Sequence, residues 1–156
     1  MQHSSIKTAL NLFLTGMILL LCAGCSGFHR AWNQETSTNR TYPATTLEGA
    51  WEGEWLSDAN GHHGRLRCLV HENEDGTYTT WYHAKYQKIL GYAYAVDVEA
   101  KPIPAGYEFE GKADLGKLAG GIYQYKGKVA SGNFNATYES KFDEGTFKMK
   151  RPRTDD

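Results

Sequence analysis

The chain is 156 residues long, 40% apolar and 22% charged, with 17 basic and 18 acidic residues and a formal net charge of −1. A balance this close to neutral gives no electrostatic case for nucleic acid or for an anionic membrane surface. The one basic cluster, Lys148, Lys150, Arg151 and Arg153, is blunted by Asp155 and Asp156.

The first ten residues carry Lys7 and the amino terminus as their firm positive charges, and an apolar run follows from Ala9 to Leu21. These 13 residues suit the hydrophobic region of a signal peptide, whereas a membrane span needs about 20. An uncleaved N-terminal anchor is the alternative, and either one leaves the rest of the chain outside the cytoplasm. Directly after the run, Leu21-Cys22-Ala23-Gly24-Cys25 resembles the lipobox of bacterial lipoproteins. Ala23 and Gly24 supply the small residues before the cut, and Cys25 the thiol that takes the lipid. The resemblance implies a signal peptide over 1–24 and several acyl chains, palmitate among them, on Cys25. Because Ser26 rather than Asp follows, it also implies sorting to the outer membrane, with the folded domain in the periplasm. Cleavage there removes one lysine and no acid, so the mature net charge is 16 − 18 = −2. It also removes Cys22, which leaves Cys68 as the lone free thiol and no partner for an intramolecular disulfide.

Residues 25–46 are rich in Ser, Thr, Asn and Gln, and Phe28 and Trp32 stand among them without periodicity. This composition predicts a flexible tether below the lipid. Residues 47–151 form the domain proper, long enough for one modest core and too short for two, and 152–156 read as a disordered tail.

Within the domain, alternation of period two dominates. Leu66, Cys68 and Val70 oppose Arg65, Arg67 and His71. Tyr78, Tyr82 and Tyr86 oppose Trp81 and His83. Tyr92, Tyr94, Val96 and Val98 oppose Asp97 and Glu99. Tyr107 and Phe109 oppose Glu108 and Glu110, and Phe147 and Met149 oppose Lys148 and Lys150. One apolar and one polar face per strand is the pattern of an antiparallel sheet with a single buried side. Turn signals at Asp58–Gly61, Glu74–Gly76, Pro102–Gly106, Ala119–Gly121, Ala130–Gly132 and Asp143–Gly145, with a break at Gln87–Gly91, cut the domain into eight runs. The predicted fold is all-β: an up-and-down antiparallel meander of about eight strands, closed into a barrel or left as a strongly bent sheet. Tyr107-Glu-Phe-Glu-Gly-Lys-Ala113 recurs sixteen residues on as Tyr123-Gln-Tyr-Lys-Gly-Lys-Val129, the spacing of one strand and one turn.

Gly49-Ala-Trp51, at the head of the first run, is similar to the Gly-x-Trp signature of the lipocalins and the wider calycin barrels. The resemblance implies that Trp51 closes one end of a barrel and that a basic residue of the last strand, Arg151 or Lys150, packs across it. Read without the family, Trp51-Glu-Gly-Glu-Trp55 is a first strand giving two large core residues, with Gly53 at a crowded crossing.

By parity Tyr78, Tyr82, Tyr92, Tyr94, Tyr107, Tyr123, Tyr125 and Tyr138 all face inward. A buried phenol without a hydrogen-bond partner costs about 1–3 kcal/mol. So many on one face point to a partly wet interior or a pocket for an amphipathic molecule, unless the hydroxyls all reach the barrel rims. The candidate ligand-binding residues are Trp51, Trp55, Tyr82, Tyr94, Tyr107, Tyr123 and Tyr138. His62 and His63 in a loop, with His71 and His83 on polar strand faces, match no metal-ligand spacing. Asp58-Ala-Asn60-Gly61 lacks the downstream glutamate of a calcium loop, and Cys68 reads as a small buried hydrophobe. No nucleophile–base arrangement or phosphate loop stands out. The sequence therefore predicts a non-catalytic lipoprotein without cofactor or metal. It meets the membrane through the lipid anchor and a small amphipathic or apolar ligand through its tyrosine-lined interior. The alternative is a structural or protein-interaction module with a solid core, meeting an envelope protein through outward groups such as Trp81 or the His62–His63 loop.

Overall fold

In the computed structural model eight strands follow one another round a closed antiparallel barrel: β1 (Gly49–Ser57), β2 (His63–Glu72), β3 (Tyr78–Tyr86), β4 (Leu90–Ile103), β5 (Gly106–Asp114), β6 (Ile122–Ala130), β7 (Asn133–Glu139) and β8 (Glu144–Lys150). The structure describes residues 26–38, 41–87, 90–116 and 121–152. The stretch read as a signal peptide, and Cys25, read as the lipidation site, lie outside these residues, as does the tail beyond Pro152. β8 pairs with β1 from Glu52↔Lys150 to Ser57↔Gly145, so the meander closes on itself. The predicted alternation is what fills it. Leu66 and Cys68 of β2, Val96 and Val98 of β4, Val129 of β6 and Phe134 of β7 are all buried on the inside.

Closure brings backbones very near one another at Gly53. A Cβ there would stand 2.0 Å from the Lys148 carbonyl oxygen, so β1 and β8 can cross only because this residue has no side chain. Between β6 and β7, Ser131 and Gly132 both take positive φ (50° and 74°), the backbone of a tight two-residue hairpin. One predicted turn is displaced. Pro102 lies inside β4, opposite Tyr107, rather than in a turn over 102–106. Beyond Val98 the strand has outrun β3 and has only β5 beside it, so there is no second ladder for the missing N–H of proline to break.

The larger correction falls within the stretch read as a flexible tether, where the described residues are ordered against the barrel. Residues 26–37 form a helix, α1, laid across the outer wall of β1–β4. Phe28 and Trp32 are four residues apart, which puts both on one helical face, and both are buried against Ala50, Leu69, Trp81 and Ala93. The Phe28 ring meets Trp81 edge-on at 5.3 Å and stacks on His83 at 5.1 Å, while the Arg67 guanidinium lies 4.5 Å from the Trp32 ring. The helix ends where three successive hydroxyl residues donate to its last carbonyls: Thr36 to Trp32, Ser37 to Gln34 and Thr38 to Glu35.

This seam changes the reading of two outward residues. Trp81 is packed against Gly27 and Phe28 and is half-buried, not a free outward ring. His83 is 3% exposed rather than solvated, with the His29 ring 4.8 Å away. Burial holds the His83 pKa below its ordinary 6.5, and the charges of His29, Lys85 and Arg67 push the same way. A base with a depressed folded pKa binds fewer protons folded than unfolded, so its contribution is complete above 6.5 and is lost as pH falls through the folded value. Thermal unfolding between pH 7 and pH 5 should therefore lower the melting temperature of the native protein more than that of His83→Gln. Equal pH dependence in the two proteins would remove His83 as the source.

Candidate functional site

The two ends of the barrel differ in chemistry. At the end where β1 begins and β8 stops, Trp51 is fully buried and its indole Nε1 donates to the Leu47 carbonyl at 2.8 Å. The Arg151 guanidinium lies 3.6 Å from the Trp51 ring and donates to the carbonyls of Ala50 (3.2 Å) and Thr46 (3.0 Å). Burial lowers the Arg151 pKa to about 10, with Tyr42 and Glu35 acting the other way, so the group stays charged at neutral pH. The segment leading into β1 crosses this end as a strap: Gly132 N–H donates to Ala44 O, and Tyr42, 4.9 Å from Arg151, donates to the Glu35 carboxylate of α1. Of the two basic residues proposed to cover Trp51, Arg151 does so. This end is sealed.

The opposite end, where the β1–β2, β3–β4, β5–β6 and β7–β8 turns lie, is aromatic and part-open. Trp55, Tyr94 and Tyr123 are half-buried there and Tyr92 is 43% exposed. Below them Tyr82, Tyr125, Tyr138 and Phe147 are buried. The rings form one connected set. Tyr94 lies 5.4 Å from Tyr92 and 5.3 Å from Tyr82, Tyr123 lies 6.0 Å from Tyr138, and Phe147 lies 5.0 Å from Tyr138 and 5.3 Å from Tyr82. Neighbouring strands impose this, since Tyr82 pairs with Tyr94 and Tyr125 with Tyr138 across their ladders. The interior beneath the mouth is therefore packed with rings rather than hollow. The broad concavities lie on the outer wall: one includes Glu52, Glu54, Arg65, Lys85 and Lys148, and another Asp97, Glu99, Glu110 and Lys112.

The phenols are satisfied unequally. Trp55 Nε1 donates to the Lys85 carbonyl at 3.1 Å. Tyr138 donates to Asp143 at 3.4 Å, and Ser57 Oγ donates to the same carboxylate at 2.5 Å. Burial pushes the Tyr94 pKa far up, and the Tyr125 phenol beside it acts in the same direction. The Tyr82 hydroxyl, fully buried, finds no partner in good hydrogen-bond geometry; its polar neighbours are the Cys68 thiol and the Thr80 hydroxyl. Its burial, and the Cys68 thiol next to it, hold it neutral far above the usual phenol range. Removing an unpaired buried hydroxyl loses nothing, so Tyr82→Phe should leave stability within about 0.5 kcal/mol of the native protein or raise it, read by urea denaturation. A loss above about 1 kcal/mol would mean the hydroxyl is bonded within the protein itself.

Of the seven residues read as ligand-binding, the structure brings Trp55, Tyr82, Tyr94, Tyr123 and Tyr138 together at the open end. Trp51 and Tyr107 belong elsewhere. Trp51 sits under Arg151 at the sealed end, and Tyr107 packs 6.1 Å from Tyr78, below the mouth. Parity assigned the five tyrosines among them to the inside, and the two tryptophans were read as core residues of the first strand, but neither reading separates top from bottom. Tyr92 and Leu90 were passed over, although they continue the inward run of β4 to its first residue. Among the described residues, no group of three or more His, Cys, Asp or Glu is placed to hold a metal ion, and His62 instead packs 5.1 Å from Tyr86. No family model, curated protein or solved structure matches this chain. The closed eight-stranded antiparallel barrel is compatible with a calycin-like fold.

Proposed function

We propose that this protein is a non-catalytic, lipid-anchored binding module of the bacterial envelope, tethered to the outer membrane through Cys25 and taking a small amphipathic or apolar ligand at its open end. The observation that carries the reading is the pairing of a part-exposed aromatic cup, Trp55, Tyr92, Tyr94 and Tyr123, with one fully buried phenol, Tyr82, whose hydroxyl has no partner. Apolar walls with few polar groups are what a small-molecule site needs, and a poorly satisfied phenol beneath the cup marks the place where the packing is least complete. The ligand is held in the mouth, not in a deep cavity, because Tyr82, Tyr125 and Phe147 fill the space beneath. The Trp51–Arg151 stack beside the Gly-x-Trp motif supports a calycin-like relationship.

Native mass spectrometry of residues 26–156, secreted to the periplasm and gently purified, tests this directly. A bound species lost on denaturation, and lost selectively from a Tyr94→Ala, Tyr123→Ala variant, supports the reading. Titration with a fluorescent fatty acid should show affinity at least tenfold weaker in that variant, about 1.4 kcal/mol. A clean apo mass together with no binding up to the solubility of the probe would overturn it. The solid aromatic floor would then favour the second reading, a protein-interaction module.

A further inference from the structure

The exposed apolar side chains of this barrel are not scattered. Among the described residues the large hydrophobics that stand in solvent are Leu56 (40%), Leu90 (64%), Tyr92 (43%), Ile122 (62%) and Phe142 (69%). They come from the end of β1, the start of β4, the start of β6 and the β7–β8 turn, and all four places are at the open end. The turns of the sealed end carry none. They are Asn73–Thr77, tied by Asp75 to Thr77, the residues 104–105, and Ser131–Gly132.

The helix has a direction relative to these ends. Gly27 and Phe28, at its start, lie against Trp81 and His83 on the mouth side of Arg151 and Gly49. Glu35, near its end, bonds Tyr42, which packs on Gly49 and Arg151 at the sealed end. The chain thus enters the described structure with α1 pointing back toward the apolar rim. On the lipid-anchored reading Cys25 is the residue before α1 in sequence, so few bonds separate its acyl chains from the start of the helix.

We propose that the open end of the barrel lies on the lipid surface, with Leu90, Tyr92, Ile122 and Phe142 seated at the headgroup boundary and the aromatic cup opening onto acyl chains. The proposal rests on the lipid-anchored reading above and names the ligand class, a molecule with an acyl or similarly apolar tail drawn from the bilayer. At about 200 Å² for a large side chain, the exposed fractions of the rim amount to roughly 500 Å², the size of a functional patch on a monomer but short of the about 800 Å² per partner of a stable interface. That favours a lipid surface over a second copy of the chain. Lys141 sits beside the tip, its Nζ 5.2 Å from the Phe142 ring, placed to keep its charge in the headgroups while the ring goes deeper. Acids at this end, Asp58, Asp114, Glu139 and Glu144, offset the cations, so apolar contact rather than anionic lipid drives the seating.

The test uses the full chain made in a bacterium, with its intact mass reporting acylation, reconstituted in phosphatidylcholine vesicles. A polarity-sensitive dye is attached at Lys141→Cys in one protein and at Asp75→Cys, in a sealed-end turn, in another; native Cys68 is buried. Quenching by lipid-borne nitroxide should be at least threefold stronger at 141 than at 75, and Leu90→Ser with Phe142→Ser should bring 141 down to the level of 75 without lowering the melting temperature. Equal quenching at both positions, or more at 75, overturns the proposal. A mass without acyl chains would overturn the anchor at Cys25, and flotation of the unlipidated protein with the vesicles would then decide the rim. Flotation abolished by the double serine variant sustains it, and no flotation sinks it. A dimer in lipid-free buffer that the double serine variant dissolves would assign the rim to a second copy instead.

Discussion

Replacing Trp51 with alanine is expected to cost about 3–5 kcal/mol, the largest single loss in the barrel, because it removes a fully buried indole and the surface on which a buried cation rests. The ring also lies 5.6 Å from Phe134, and its N–H satisfies the Leu47 carbonyl. Truncation therefore leaves a cavity, an unpaired carbonyl and a guanidinium held to Ala50 and Thr46 with nothing beneath it. Arg151→Ala alone should cost about 2–4 kcal/mol, since two charge-assisted hydrogen bonds and the stacking are lost together. The two are in contact, so their losses should not add. A double-mutant cycle is expected to give a coupling of at least about 1 kcal/mol, read from urea midpoints at unchanged m-value. Additive losses would mean that the sealed end holds without the stack. Loss of the seal should leave the open-end tyrosines bound to their own neighbours, so Tyr94 and Tyr123 should report unfolding in the same transition and not before it.

The contrast between what alternation reveals and what it hides is sharpest in β3. Tyr78, Tyr82 and Tyr86 were legible as an inward row because a strand repeats every two residues and the turns on either side carry Gly or Asn. Trp81 and His83 were read as outward, which they are, and as free, which they are not. What covers them is a helix whose only signal is two aromatics four residues apart in a Ser- and Thr-rich stretch, too little for a periodic stripe. Closure of the barrel was only one of two readings, because strand count does not fix whether the last strand reaches the first. Gly53 was legible as a residue at a crowded crossing, but that the strand it crosses is β8, with the Lys148 carbonyl against it, appears only in the structure. At the site, parity identified which tyrosines point inward but not that their rings would fill the space. Packing depends on which rings face each other across the ladder, as Tyr82 and Tyr94 do, and that is set by register rather than by composition. Arg151 was legible only through the resemblance of Gly49-Ala-Trp51 to the Gly-x-Trp barrels, which left Arg151 and Lys150 open; the structure selects Arg151.

Phe28→Ala is expected to release α1 from the wall while the barrel stays folded. A 12-residue helix is marginal by itself in water, so the ordering of residues 26–37 depends on docking. Ordering costs about 1–2 kcal/mol per residue in backbone freedom, a sum that helical hydrogen bonds and the burial of Phe28 and Trp32 can only just exceed. Removing a fully buried phenylalanine takes away about 3–5 kcal/mol, enough to shift such a balance more than a hundredfold toward the undocked form. Amide exchange should then rise across residues 26–37 and remain slow in β5–β8, which the helix does not touch. Trp81 emission should shift to the red, and His83, no longer buried, should titrate near 6.5, which removes the extra loss of stability at pH 5. Uniform loss of protection through the whole barrel would show instead that α1 and the sheet unfold as one unit. The distinction bears on function. On the proposed lipid-anchored reading, a helix that can leave the wall would let acyl chains at Cys25 stand away from the rim, whereas one that cannot would keep the mouth near the surface.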